Sequence, residues 1–133
     1  MLEQRVHIRW RDMDNYGHVN NAVYLTYLEE CRDRWAKLVL GEDFDFVIVR
    51  VAIDFRRELA LQDEEVTVRC WGTGYGTSSI RTAERIFTRD GAVAAVSESV
   101  IVGHDFEARK AVPLTDGERM KLDAAIAADA ALG

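Results

Sequence analysis

From Asn20 to Gly41 apolar residues recur every three or four positions, at Tyr24, Leu28, Cys31, Trp35, Leu38 and Val39, while Glu29, Arg32, Asp33 and Lys37 occupy the other side. That spacing predicts an amphipathic helix of about 20 residues, roughly 30 Å long, with Asn20 or Asn21 as N-cap and Gly41 as terminator. A stripe of that length must be covered by another layer, and the flanking segments supply strands. Residues 4–10 alternate Arg5, His7 and Arg9 with Val6, Ile8 and Trp10, the period of a half-buried strand. After Gly41 the alternation returns, with Val47, Val49, Val51, Ile53 and Phe55 on one side and Arg50, Asp54 and Arg56 among those opposite. Val66, Val68 and Cys70 mark a third strand, and the stretch from Gly72 to Gly76 loosens or turns the chain. Residues 78–88 and 92–103 read as a fourth and a fifth strand joined at Asp90-Gly91, a turn in which glycine tolerates positive φ. Pro113 breaks the chain, and Thr115 and Glu118 form a capping box for an Ala-rich C-terminal helix. The expected class is α+β, a five-stranded antiparallel sheet packed on one long helix, with a second helix at the end.

Size and charge narrow the function. At 133 residues and 48% hydrophobic, residues 1–133 fit one domain with one core. Seventeen Lys and Arg against 23 Asp and Glu give a net charge of −6, which argues against nucleic acid as a partner. No apolar run reaches membrane-spanning length, and the opening Met-Leu-Glu-Gln-Arg-Val-His lacks a signal segment, so the expected location is the cytoplasm and no membrane partner is expected. Cys31 and Cys70 have no metal spacing and are expected to be buried thiols. No two of His7, His18 and His104 sit four apart on a helix, so no metal is expected.

Chemistry concentrates in residues 12–24, where Asp12, Asp14, Asn15, Gly17, His18, Asn20 and Asn21 run straight into the long helix. Acid and base side chains are thereby set beside the positive end of a helix, whose free N–H groups stabilise a developing oxyanion. This reads as a hydrolytic site. Loops of this composition also serve simply as turns and caps, a role that Asn20 and Asn21 fill in either case.

The blocks Asp12-Met13-Asp14, Gly17-His18-Val19-Asn20-Asn21 and Tyr24, together with Ile53-Asp54-Phe55-Arg56-Arg57 and Asp116-Gly117-Glu118-Arg119, resemble the hotdog-fold acyl-CoA thioesterases of the 4-hydroxybenzoyl-CoA thioesterase-like branch. The resemblance implies a sheet wrapped around the central helix, subunits paired through their sheets, and sites at the dimer interface. A homo-oligomer follows, a dimer or a dimer of dimers, the homotetramer being common. It implies that Asp14 is the catalytic carboxylate, attacking the thioester carbonyl or activating water, and that a backbone N–H at Asn21, seven residues on, holds the oxyanion. Gly17 then allows close backbone approach, and Tyr24 is a candidate for the acyl channel. His18 resembles the histidine of plant acyl-carrier-protein thioesterases, but the catalytic Asn of those enzymes is Tyr16 here. Coenzyme A, present as part of the substrate with no separate cofactor, is expected to meet Arg57 and the turn Gly76-Thr77-Ser78. The implied reaction is hydrolysis of an acyl-CoA to free acid and CoA. An acyl-carrier-protein thioesterase and a noncatalytic acyl-thioester-binding module are the alternatives.

Overall fold

The computed structural model describes residues 1–132. Its elements follow in the order β1 (Leu2–His7), α1 (Asn21–Leu40), β2 (Phe46–Phe55), β3 (Glu65–Tyr75), β4 (Ser79–Thr88), β5 (Val93–Asp105), β6 (Lys110–Ala111) and α2 (Asp116–Leu132), with single 3-10 turns at Trp10–Asp12 and Leu61–Asp63. The main strands pair antiparallel in the order β1-β3-β4-β5-β2, and the two-residue β6 adds to β5. This curled antiparallel sheet with one long helix and one C-terminal helix is the hotdog arrangement.

α1 begins and ends where its sequence dictates. The Asn20 side chain accepts the Ala22 N–H at 2.9 Å, and Gly41, at φ 106°, terminates the helix with its N–H on the Lys37 carbonyl. Leu28, Cys31 and Ala36 are completely buried, against a sheet face that contributes Val66, Val68, Ile80, Ile86 and Ile101. Trp35 fits because Gly72 has no side chain, since a Cβ there would lie 2.8 Å from the indole. The thiols of Cys31 and Cys70 are buried and unbridged, and burial pushes Cys31 up to about 11. The capping box at the start of α2 is formed in both directions, Thr115 N–H to Glu118 at 2.8 Å and Glu118 N–H to Thr115 at 3.1 Å.

Several expectations are corrected. β1 stops at His7, so Trp10 enters a turn and is 79% exposed instead of facing the core. A bulge between Ile48 and Arg50 shifts the phase of β2. Phe46, Ile48, Val51, Ile53 and Phe55 therefore share the inner face, opposite Gly103, Ile101, Ser99, Ser97 and Ala95, while Val47 lies outside and Val49 at the bulge. The stretch from Gly72 stays in β3 as far as Tyr75, because a second bulge between Gly72 and Gly74 absorbs the irregularity. Arg32, expected on the polar side of α1, is buried and paired with Glu84.

Leu28→Ala is expected to cost about 3 kcal/mol in equilibrium denaturation, the range for deleting a fully buried leucine from a core that cannot collapse onto the gap. A loss under about 1 kcal/mol would show that α1 is not the packing centre.

Candidate active site

The loop before α1 folds as a small hairpin. Met13 bridges to Val19, the Asp14 N–H donates to the His18 carbonyl at 2.7 Å, and the Asn20 N–H donates to the Asp12 carbonyl at 2.9 Å. Gly17 takes φ 79° at its tip, a conformation that favours glycine.

Asp12 fastens this hairpin down. Its carboxylate is 2% exposed and accepts the Tyr27 hydroxyl at 2.7 Å, the Arg9 N–H at 2.8 Å and the Arg9 guanidinium at 3.2 and 3.3 Å. Burial alone pushes this carboxyl up. The hydrogen bonds from Arg9 and Tyr27 outweigh that effect and hold it below 3.8. Tyr27 itself is pushed upward by burial and by the anion it serves.

Asp14 is differently placed. One oxygen, Oδ1, accepts the Tyr16 N–H at 2.8 Å and the His18 N–H at 3.1 Å, and among the described residues no donor reaches Oδ2. Those backbone hydrogen bonds, from His18 first and Tyr16 second, hold the carboxyl below its ordinary value. Asp14 is therefore an anion with one oxygen anchored and one free.

At the start of α1 the Ala22 N–H is taken by the Asn20 side chain and the Val23 N–H by the Asn20 carbonyl. The Asn21 N–H is left without a protein acceptor among the described residues. An anchored carboxylate and an uncommitted amide at a positive helix end thus stand on one short hairpin, a nucleophile or base together with a donor for an oxyanion.

The hairpin leans on the segment after β2. His18 bridges to Ala60, the Val19 N–H donates to the Leu59 carbonyl at 2.7 Å, and His18 Nε2 lies 3.2 Å from Glu58. Glu58 escaped the sequence reading, for it lies forty positions from His18 in a run of charges that looks like ordinary surface. Tyr24 is 2% exposed, donates its hydroxyl to the Arg57 carbonyl at 3.0 Å and meets Phe55 edge to face at 5.0 Å. The Arg57 guanidinium turns toward Asp90 at 3.8 Å.

Asp14, Gly17, His18, Asn21, Tyr24 and Arg57 thus gather at one end of the sheet. Gly76, Thr77 and Ser78 do not join them. They sit at the opposite end of the eleven-residue β3, roughly 35 Å away along the strand, where Thr77 and Ser78 carbonyls accept from Leu114 and Gly103. Among the described residues no three His, Cys, Asp or Glu side chains cluster as metal ligands would.

Three kinds of relative match this chain. The family model described as the thioesterase-like superfamily matches residues 8–124. The long-chain acyl-CoA thioesterase FadM of Escherichia coli (strain K12) is 30% identical over 130 residues, covering 92% of this chain and 97% of FadM. A thioesterase from Thermus thermophilus, solved in complex with coenzyme A and Zn, superposes with a TM-score of 0.83 at 33% identity, covering 95% of this chain and 94% of the other. A predicted thioesterase from Bacillus stearothermophilus gives a TM-score of 0.85 at 26% identity, over 94% and 96% of the two chains.

Tyr27→Phe is expected to lose about 1–3 kcal/mol, since it strips a donor from a buried anion. Because the Asp12 carboxyl is depressed in the folded state, its contribution is fully present above the ordinary value of about 3.9 and is lost as pH falls through the folded value. Asp12→Asn should accordingly flatten the acid limb of a stability profile measured from about pH 6 to pH 2. An unchanged acid limb would contradict the assignment.

Proposed function

The chain belongs to the thioesterase-like superfamily, whose members hydrolyse thioesters, and from that premise we propose that it cleaves acyl-CoA to a free carboxylic acid and coenzyme A at Asp14 and Asn21. The observation that carries this reading is the pairing of a free Asp14 oxygen with the uncommitted Asn21 N–H.

Asp14 Oδ2 attacks the thioester carbonyl, and the negative charge passing to the carbonyl oxygen is met by the Asn21 N–H and the positive end of α1. The C–S bond then breaks, coenzyme A leaves as a thiolate that takes a proton from water, and an acyl-aspartyl anhydride remains. Water, oriented by His18 and its Glu58 partner, hydrolyses the anhydride to the acid and restores the Asp14 carboxylate. The Asp14 carboxyl, held below its ordinary value by the His18 and Tyr16 N–H groups, is ionised at neutral pH and is available for attack without prior loss of a proton. The reaction needs no separate cofactor.

The same reading makes the protein a homo-oligomer. β2 is an edge strand, and its sequence, Phe-Val-Ile-Val-Arg-Val-Ala-Ile-Asp-Phe, carries neither Pro nor Lys to discourage another strand. Ile48, Val49, Val51 and Phe55 are exposed along it. Antiparallel pairing of two copies at β2 reverses the ends, so the partner's Gly76-Thr77-Ser78 turn comes beside Asp14 and meets the coenzyme, a dimer that can associate again into a tetramer. Buried, unbridged Cys31 and Cys70 suit the reducing cytoplasm.

Asp14→Asn is expected to lower kcat at least about a hundredfold in a thiol-release assay with acyl-CoA, with circular dichroism unchanged. Activity within about threefold of wild type would remove Asp14 from the reaction. Val49→Lys, at the β2 bulge and outside the inner face, is expected to give a folded, inactive monomer by sedimentation velocity, and an active monomer would refute the shared site.

A further inference from the structure

Between α1 and the inner face of β2 runs an open trough of about 480 Å³. Phe46, Ile48 and Val51 line it from β2, and Leu25 and Arg32 line it from α1. Its direction is fixed by two contacts: Tyr24 meets Phe55 near the start of α1, and the Lys37 ammonium bonds to the Phe44 carbonyl near the end. Asn21, Leu25 and Arg32 fall within about 40° of one another around the helix, so the trough continues the stripe on which the Asn21 amide stands.

Arg32 is unusual in this setting. It is 4% exposed, and only Nη2 is bonded, to Glu84 Oε1 at 3.0 Å and Ser99 Oγ at 3.1 Å. Its Nε is buried without a partner. Ser97, paired with Glu84 across the β4–β5 ladder, likewise has a buried hydroxyl without a partner. Thr82 and Ser99 satisfy Glu84, which leaves the spare capacity of the cluster on Arg32 and Ser97. Buried donors are rarely left unpaired, and a site that holds one open discriminates strongly for a ligand that supplies the acceptor.

We propose that Arg32 reads an oxygen on the acyl chain, so that the enzyme prefers fatty acyl groups bearing a neutral hydroxyl or keto group partway along. This rests on the thioesterase reading, which sets the carbonyl at Asn21. The oxygen is neutral because the Arg32 charge is already matched by Glu84 and the Lys37 charge by Asp45 at 3.8 Å, while Glu29 and Asp33 add negative charge around the trough. Arg32 stands eleven residues beyond Asn21, roughly 16 Å along the axis, and helical side chains lean back toward the N-terminus, which puts the selected oxygen about eight to twelve carbons from the carbonyl.

The test compares kcat/KM of the full-length enzyme for tetradecanoyl-CoA, its mid-chain hydroxy isomers, the corresponding terminal dicarboxylic acyl-CoA, and hexanoyl-CoA, which is too short to reach Arg32. The best hydroxy isomer is expected to exceed tetradecanoyl-CoA about tenfold, through KM, and the dicarboxylic analogue to fall below both. Arg32→Lys, which keeps the charge facing Glu84, should bring that ratio to within about twofold of one. Ser97→Ala removes a buried hydroxyl that has no partner and lies outside the trough lining, so it should leave the ratio unchanged. Ratios within about twofold of one for every isomer, or a full preference in a folded Arg32→Lys protein, would overturn the proposal while leaving the thioesterase reading intact. Failure of wild-type enzyme to hydrolyse any of these esters, hexanoyl-CoA included, would overturn both.

Discussion

The buried Asp12 carboxylate is the fastening on which the site depends. A carboxylate with 2% of its surface exposed survives only if its oxygens are satisfied, and here Arg9, two residues beyond β1, and Tyr27 on α1 do so together. Through its own carbonyl the same residue holds Asn20, the cap of α1. One residue therefore ties the sheet, the helix and the hairpin together, and Asp14, two positions further, inherits a fixed relation to the first amide of the helix. Loosening that fastening would disturb catalysis before it disturbed the fold, because the hairpin carries few buried side chains of its own.

The helix does two jobs with different faces. Toward β3 and β4 it presents Leu28, Cys31 and Trp35, which are packing and nothing else. At its start it presents one N–H that neither the Asn20 side chain nor the Asn20 carbonyl has taken. A capping residue normally competes with a ligand for first-turn amides. Here Asn20 binds the second and third of them and spares the first.

Much of this was legible because local rules act within a few residues. The Asn20 cap, the Gly41 stop and the Thr115 and Glu118 box depend on neighbours, and all appear where spacing puts them. The misreadings share a different origin. Whether Val49 or Ile48 faces inward is decided by a bulge set against β5, and whether Arg32 is solvated is decided by Glu84, fifty-two positions away. Trp10 failed for a related reason, since alternation says nothing about where the partner strand ends. Glu58 beside His18 is again a long-range pairing. The Gly76-Thr77-Ser78 turn is the limiting case, because within one chain the length of β3 carries it to the end of the sheet opposite Asp14, a separation that no local rule reveals.

The account stands or falls on a main-chain hydrogen at position 21. Semisynthesis that replaces Asn21 by its α-hydroxy acid counterpart turns that amide into an ester, deleting the N–H while keeping the side chain and the helix. The account predicts that kcat for acyl-CoA hydrolysis falls about a hundredfold, while Asn21→Ala stays within about threefold of wild type. An ester analogue as active as wild type, or an Asn21→Ala enzyme as impaired as the ester, would contradict it.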